Sequence, residues 1–210
     1  MEANERRERD VRRTESFSDV VIGFSLAQIG VALVVPTHAA ELVAHAYWFY
    51  AFLWTFALVC LMWWNHHRLF RTVFVPTVPA IVLNFVLLAT IVLLTYFANL
   101  LNRPGTWDDI VVATRLYYGA LSANFLVWAA LVAICLRDPE NDDEEPTVRN
   151  ARRGMVVNGI AGALQLGAVF GSFLLHEANV IVLVGAMVPV SFIASSFAAT
   201  LLGFRRVRVT

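Results

Sequence analysis

The chain has 210 residues, 59% of them hydrophobic and 15% charged, with sixteen basic and sixteen acidic groups that leave no net charge. A soluble domain of this length carries roughly 25% charged residues, so the composition excludes one, and no nucleic-acid partner is expected. The charges are clustered, and the uncharged stretches between them have the length of about 20 residues that a helix needs to cross a ~30 Å hydrocarbon layer.

In chain order, residues 1–16 form a polar N-terminus with five arginines, expected on the cytoplasmic side. The first apolar span, Phe17–Val35, is too long for a signal peptide, and no small-residue cleavage site follows Val35. At 100° per residue, Phe17, Phe24, Gln28, Val31 and Val35 fall on one narrow stripe, with the small residues Gly23, Ala27 and Gly30 on the next. Small stripes let helices approach closely in lipid, where packing drives association. From the residues alone, buried contacts inside one subunit are the favoured reading of both stripes, and a shared, water-facing surface is the alternative.

Five further spans follow at Tyr47–Trp64, Pro79–Leu101, Val111–Leu136, Met155–His176 and Val180–Phe204. The fold class is therefore all-α, an integral membrane protein of six transmembrane helices forming a single domain over residues 1–210. The connection 137–154 is an acidic then basic loop, and residues 205–210 form a short tail. Arg115 inside the fourth span is awkward in lipid; it either snorkels outward or marks a later helix start. Cys60 and Cys135 lie in apolar stretches and are expected to pack as small apolar residues.

All sixteen basic residues are arginines: five in the N-terminus, two in the 2–3 connection, four in the 4–5 connection and three in the tail, against Arg103 and Arg115 elsewhere. With six spans the fourteen lie on one side. The positive-inside rule then makes both termini cytoplasmic in a multi-pass protein of the cell membrane.

Three motifs carry a family resemblance. Arg13-x-x-x-Phe17-Ser18-Asp19 resembles the signature that opens the transmembrane protein 175 potassium channels. Trp63-x-x-His66-x-Arg68-Leu69-Phe70 resembles the end of that family's second helix. Leu83-Asn84 with the apolar run to Tyr96 resembles its third. Together they cover about the first 100 residues; the second half is similar in hydropathy only. The resemblance implies a homotetramer around a central pore lined by the first helix, permeable to potassium or other monovalent cations. It implies no cofactor, and side-chain rings take the place of a carbonyl filter. Phe24, Gln28 and Val31 would form the constriction and gate, and Gly23, Ala27 and Gly30 the packing stripe. The family's usual isoleucine, threonine and leucines are replaced here by Phe24, Ala27, Gln28 and Val31, and its third-helix proline is absent where Thr95 precedes Tyr96.

Asp19, Ser18, Arg13, Trp63 and His66 map to the same end of the first two spans, beside Phe17. A carboxylate near hydrocarbon needs a partner. The expected network has Asp19 and Ser18 bonded to His66 and Trp63, with Arg13 closing it, as a structural scaffold for the first helix. His66 and His67 point about 100° apart and make a poor shared metal site.

A secondary transporter is the main rival to a channel, but the halves show no repeat and no span is broken by paired Gly/Pro. A non-conducting membrane assembly protein is the other alternative. An enzyme is not expected, for want of a Ser–His or His-Glu-x-x-His arrangement.

Overall fold

The computed structural model describes residues 2–31, 46–103, 105–138, 145–175 and 177–204, with the single positions 33, 38, 41 and 141. Val35, His45, the Trp48 side chain, the middle of the acidic loop, His176, the Glu177 side chain and the tail 205–210 lie outside the described residues. Among the described residues six α-helices follow in order: α1 Glu2–Val31, α2 Ala46–Thr72, α3 Val78–Leu101, α4 Trp107–Cys135, α5 Pro146–Gly171 and α6 Glu177–Leu201. A 3-10 turn, Ser172–Leu174, extends α5. Among the described residues there is no strand. Four helices are long and apolar enough to cross a membrane on their own composition: α3, α4, α5 with its 3-10 extension, and α6 from Asn179.

Local chemistry explains where the helices begin. Thr77 caps α3, its hydroxyl accepting from the Ala80 amide at 3.4 Å, with Pro79 in the first turn where its missing N–H costs nothing. A capping box starts α4: the Asp109 amide donates to Thr106 Oγ1 at 3.3 Å, and the Thr106 amide to Asp109 Oδ2 at 2.8 Å. This box puts the helix start at Trp107 rather than Val111, so Arg115 sits two turns inside α4. It does not snorkel. Its Nε and Nη2 donate to Ser172 Oγ at 3.1 Å and to the Ser172 carbonyl at 2.9 Å, and its guanidinium lies 4.3 Å from the Phe173 ring centre.

Two other boundaries also differ from the hydropathy pattern. Pro146 opens α5, so Arg149, Arg152 and Arg153 are helical rather than part of a loop. At the N-terminus, α1 begins at Glu2 and passes without interruption from the charged segment into the apolar one. Charge pairs one turn apart support that extension; Arg12 Nη2 lies 3.1 Å from Glu8 Oε2.

The helices pack as a chain of neighbours. α1 lies against α2 and α3, α3 against α4, α4 against α5 and α6, and α5 against α6. One apolar core joins Ile22 and Ile29 of α1 to Val59, Ile91, Leu94 and Leu121. A second, at the opposite end, joins Leu69, Phe70 and Val73 to Leu87, Leu131, Val132 and Val148. The α4–α5 contact is close enough for the Ser122 hydroxyl to donate to the Gly162 carbonyl at 2.7 Å. A Cβ at Gly162 would fall 2.8 Å from Leu126 Cγ, so only glycine fits. The second core lies at the arginine-rich end. There Arg7 Nη2 is 3.7 Å from Asp138 Oδ2, Asn141 Nδ2 donates to the Val73 carbonyl at 3.3 Å, and Arg153 Nε to the Phe204 carbonyl at 3.1 Å. The N-terminal half of α1 and the 2–3, 4–5 and C-terminal segments thus share one end of the bundle.

Candidate functional site

Helix α1 divides lengthwise. Ser18, Ile22, Ser25 and Ile29, spaced four, three and four residues apart, form the buried side, and the Ser25 hydroxyl is returned to the Val21 carbonyl at 2.9 Å. The opposite side is uncovered. Phe24 is 74% exposed and Val31 86%, and Phe17, Gly23, Ala27, Gln28 and Gly30 are exposed with them. Among the described residues, then, neither the Phe24–Gln28–Val31 part of the first stripe nor the small-residue stripe is buried against another helix of the chain. A Cβ added at Gly23 or Gly30 would meet nothing within 4 Å. Glycine inside a helix costs about 1 kcal/mol relative to alanine, and no contact among the described residues calls for its small size.

The polar end of α1 is fastened to both neighbouring helices. Trp63 Nε1 donates to Asp19 Oδ1 at 2.9 Å, and His67 Nδ1 lies 2.9 Å from Glu15 Oε1. The two pairs are one helical turn apart on each helix, as antiparallel neighbours require, and the Trp63 and His67 rings stack at 5.7 Å with 20° between planes. Asn84 of α3 holds the other side. Its Nδ2 donates to Ser18 Oγ at 3.0 Å, and its Oδ1 lies 2.8 Å from His66 Nε2. Ser18 in turn donates to the Thr14 carbonyl at 2.8 Å. Phe17 packs edge-on against Phe85 of α3 at 5.7 Å and 86°.

This differs from the expected network in three respects. His66 does not bond Asp19; it is 1% exposed, turned into the bundle, and reaches Ser18 only through Asn84. Arg13 does not close the network: it is exposed and, among the described residues, makes no hydrogen bond or ion pair. Glu15, His67 and Asn84 are the members that sequence reasoning missed. A lone amide in the apolar run of α3 was the signal for Asn84, and the four-residue spacing of Glu15 and Asp19 against Trp63 and His67 was the signal for the others.

The arrangement has a mechanical meaning. Buried or lipid-level polar groups lose stability unless bonded, and here they are bonded between helices. The register and rotation of α1 are fixed, so its outward face is always the one carrying Phe24, Gln28 and Val31.

Residues 13–94 match the family model described as the endosomal/lysosomal potassium channel TMEM175. Two solved structures share the fold. One is a variant of the potassium channel MtTMEM175 in complex with a nanobody–MBP fusion protein, 15% identical at a TM-score of 0.64, with 90% of this chain and 93% of that one covered. The other is a lysosomal potassium-selective channel TMEM175 homologue from Chamaesiphon minutus, 24% identical at a TM-score of 0.59, with 91% and 97% covered. No curated protein matches the chain.

Proposed function

We propose that this chain, a TMEM175-family sequence through residues 13–94, is one subunit of a homotetrameric, potassium-permeable cation channel whose pore is lined by α1. All six helices cross the cell membrane and both termini are cytoplasmic; the fourteen arginines that a six-span chain carries on one side support that orientation. Family and fold favour a channel, since both solved relatives are potassium channels.

The observation that carries the reading is the uncovered side of α1. Gln28 is exposed there, within an apolar segment. An amide facing hydrocarbon without a partner costs roughly 2–7 kcal/mol; facing a watery axis it costs nothing. Gly23, Ala27 and Gly30, adjacent and unopposed within the chain, supply the close approach that copies of α1 need around that axis. Phe24 and Val31 then ring the path above and below Gln28. Apolar rings of this kind close by dewetting, and the glutamine carbonyls replace part of a cation's hydration shell. The bonds of Asp19, Glu15 and Ser18 to α2 and α3 hold each lining helix at its angle, as a scaffold and not as an ion site. No cofactor is needed, because the energy comes from the ion gradient.

The decisive experiment is potassium flux from loaded liposomes, comparing the native chain with Phe24→Ala and Gln28→Ala. Phe24→Ala should raise flux and Gln28→Ala should alter the preference among cations. Unchanged flux and preference in both variants would remove α1 from the lining.

A further inference from the structure

Between α2, α3, α4 and α5, and touched by no residue of α1, lies a cavity of about 20 Å³, room for one water molecule. His66 and Trp128 line it together with Asn65, Asn124 and Asn158. A larger cavity of about 130 Å³ shares Asn65, Trp128 and Asn158 with it and extends to Arg68, Thr72 and Thr147 at the arginine-rich end of the bundle. Arg68 and Thr72 are exposed, so the larger space reaches the surface.

The proton arrangement around His66 is determined by its neighbours. Ser18 commits its hydroxyl proton to the Thr14 carbonyl, so it accepts from the Asn84 amide nitrogen. Asn84 therefore turns its carbonyl oxygen to His66 Nε2, and Nε2 must carry the ring proton. Nδ1 is left with a bare lone pair, buried and bonded to no protein atom. The indole N–H of Trp128, in the wall of the same cavity, is likewise buried and bonded to no protein atom. One orphan acceptor and one orphan donor thus belong to two residues that line a space the size of one water, together with three asparagines.

We propose that this cavity is a binding site for a single water molecule, which accepts from Trp128 Nε1 and donates to His66 Nδ1, and which exchanges with bulk water through the larger cavity past Arg68 and Thr72. The anchor of α1 then ends in water at the side of the bundle, independently of any water in the pore. Trp128 becomes a positioning residue for His66, and through Asn84 for Ser18.

The test is solid-state NMR of the full chain, labelled with 15N at histidine and reconstituted in lipid vesicles, with the His66 signals assigned by their loss in His66→Gln. The expected result is an Nε2-protonated ring whose unprotonated Nδ1 receives magnetisation from exchangeable water. Asn158→Leu, which fills the cavity, should abolish that transfer while the Nε2–H signal stays in place. Trp128→Phe should shift the Nδ1 signal alone. A native ring protonated at Nδ1, or a native Nδ1 that receives nothing from water, overturns the proposal. So does transfer that persists undiminished in Asn158→Leu.

Discussion

The indole N–H of Trp63 donates to Asp19 across 2.9 Å, and this bond is the direct link between the carboxylate of α1's signature motif and the neighbouring helix. A hydrogen bond to a charged group contributes about 1.5–3 kcal/mol. Trp63→Phe should therefore lower the melting temperature of the detergent-solubilised protein measurably, and Asp19→Asn, which keeps an acceptor, should lower it less. Neither should move the potassium-to-sodium preference in a flux assay. A changed preference with the assembly intact would make Asp19 an ion-contacting group.

Asn84 is the more consequential residue. Replacing it with leucine leaves the buried His66 Nε2–H without its acceptor and takes from Ser18 the donor that crosses from α3, and a buried unsatisfied group costs roughly 1–3 kcal/mol. Asn84→Leu should thus be more destabilising than Trp63→Phe, by thermal denaturation in the same detergent. Equal or smaller loss would show that the Ser18–Asn84–His66 bonds contribute little.

Gly23 and Gly30 separate fold from assembly. Nothing among the described residues meets a Cβ at either position, so Gly23→Ala should leave the protomer fold intact and favour the helix by up to about 1 kcal/mol. Gly23→Phe should leave it folded as well but shift the mass measured by light scattering from the proposed tetramer to smaller species. A tetramer that persists in Gly23→Phe would place the subunit contact elsewhere.

The first half of the molecule was more legible than the second, for reasons visible in particular residues. The two faces of α1 follow from a 3.6-residue period, and Asp19 and Trp63 could be matched because both sit at the same end of adjacent spans. His66 was misassigned to Asp19 because periodicity fixes only a side chain's angle on its own helix. Whether His66 turns towards α1 or α3 depends on how three helices rotate against one another, which no local pattern states. The start of α4 was readable from Thr106 and Asp109 but was hidden by a hydropathy criterion that excludes the acidic first turn. Arg115 looked misplaced only because its partner, Ser172, lies 57 residues away.

That pairing yields a prediction of its own. Arg115→Ala removes two charge-assisted bonds to the 3-10 turn and the contact with Phe173, and should cost about 2–4 kcal/mol. Arg115→Lys cannot reproduce the fork geometry that bonds Ser172 Oγ and carbonyl together, so it should restore at most half of the loss in thermal stability.

Gly162 tests the α4–α5 seam. An alanine there would press its methyl to 2.8 Å from Leu126 Cγ and 3.1 Å from the Ser122 carbonyl. Overpacking of this kind costs about 1–3 kcal/mol, and Gly162→Ala should lower the melting temperature accordingly. Gly167→Ala, on the same helix with open space around it, should not.

The unbroken course of α1 from Glu2 to Val31 makes it a stiff rod about 45 Å long at 1.5 Å per residue. A torque applied among the charged residues near Arg7, where the rod touches Asp138, arrives at Phe24 with no hinge to absorb it. Between the charged end and Phe24 the rod is gripped by the bonds of Glu15, Ser18 and Asp19 to α2 and α3, so turning its outward face means breaking that clamp first.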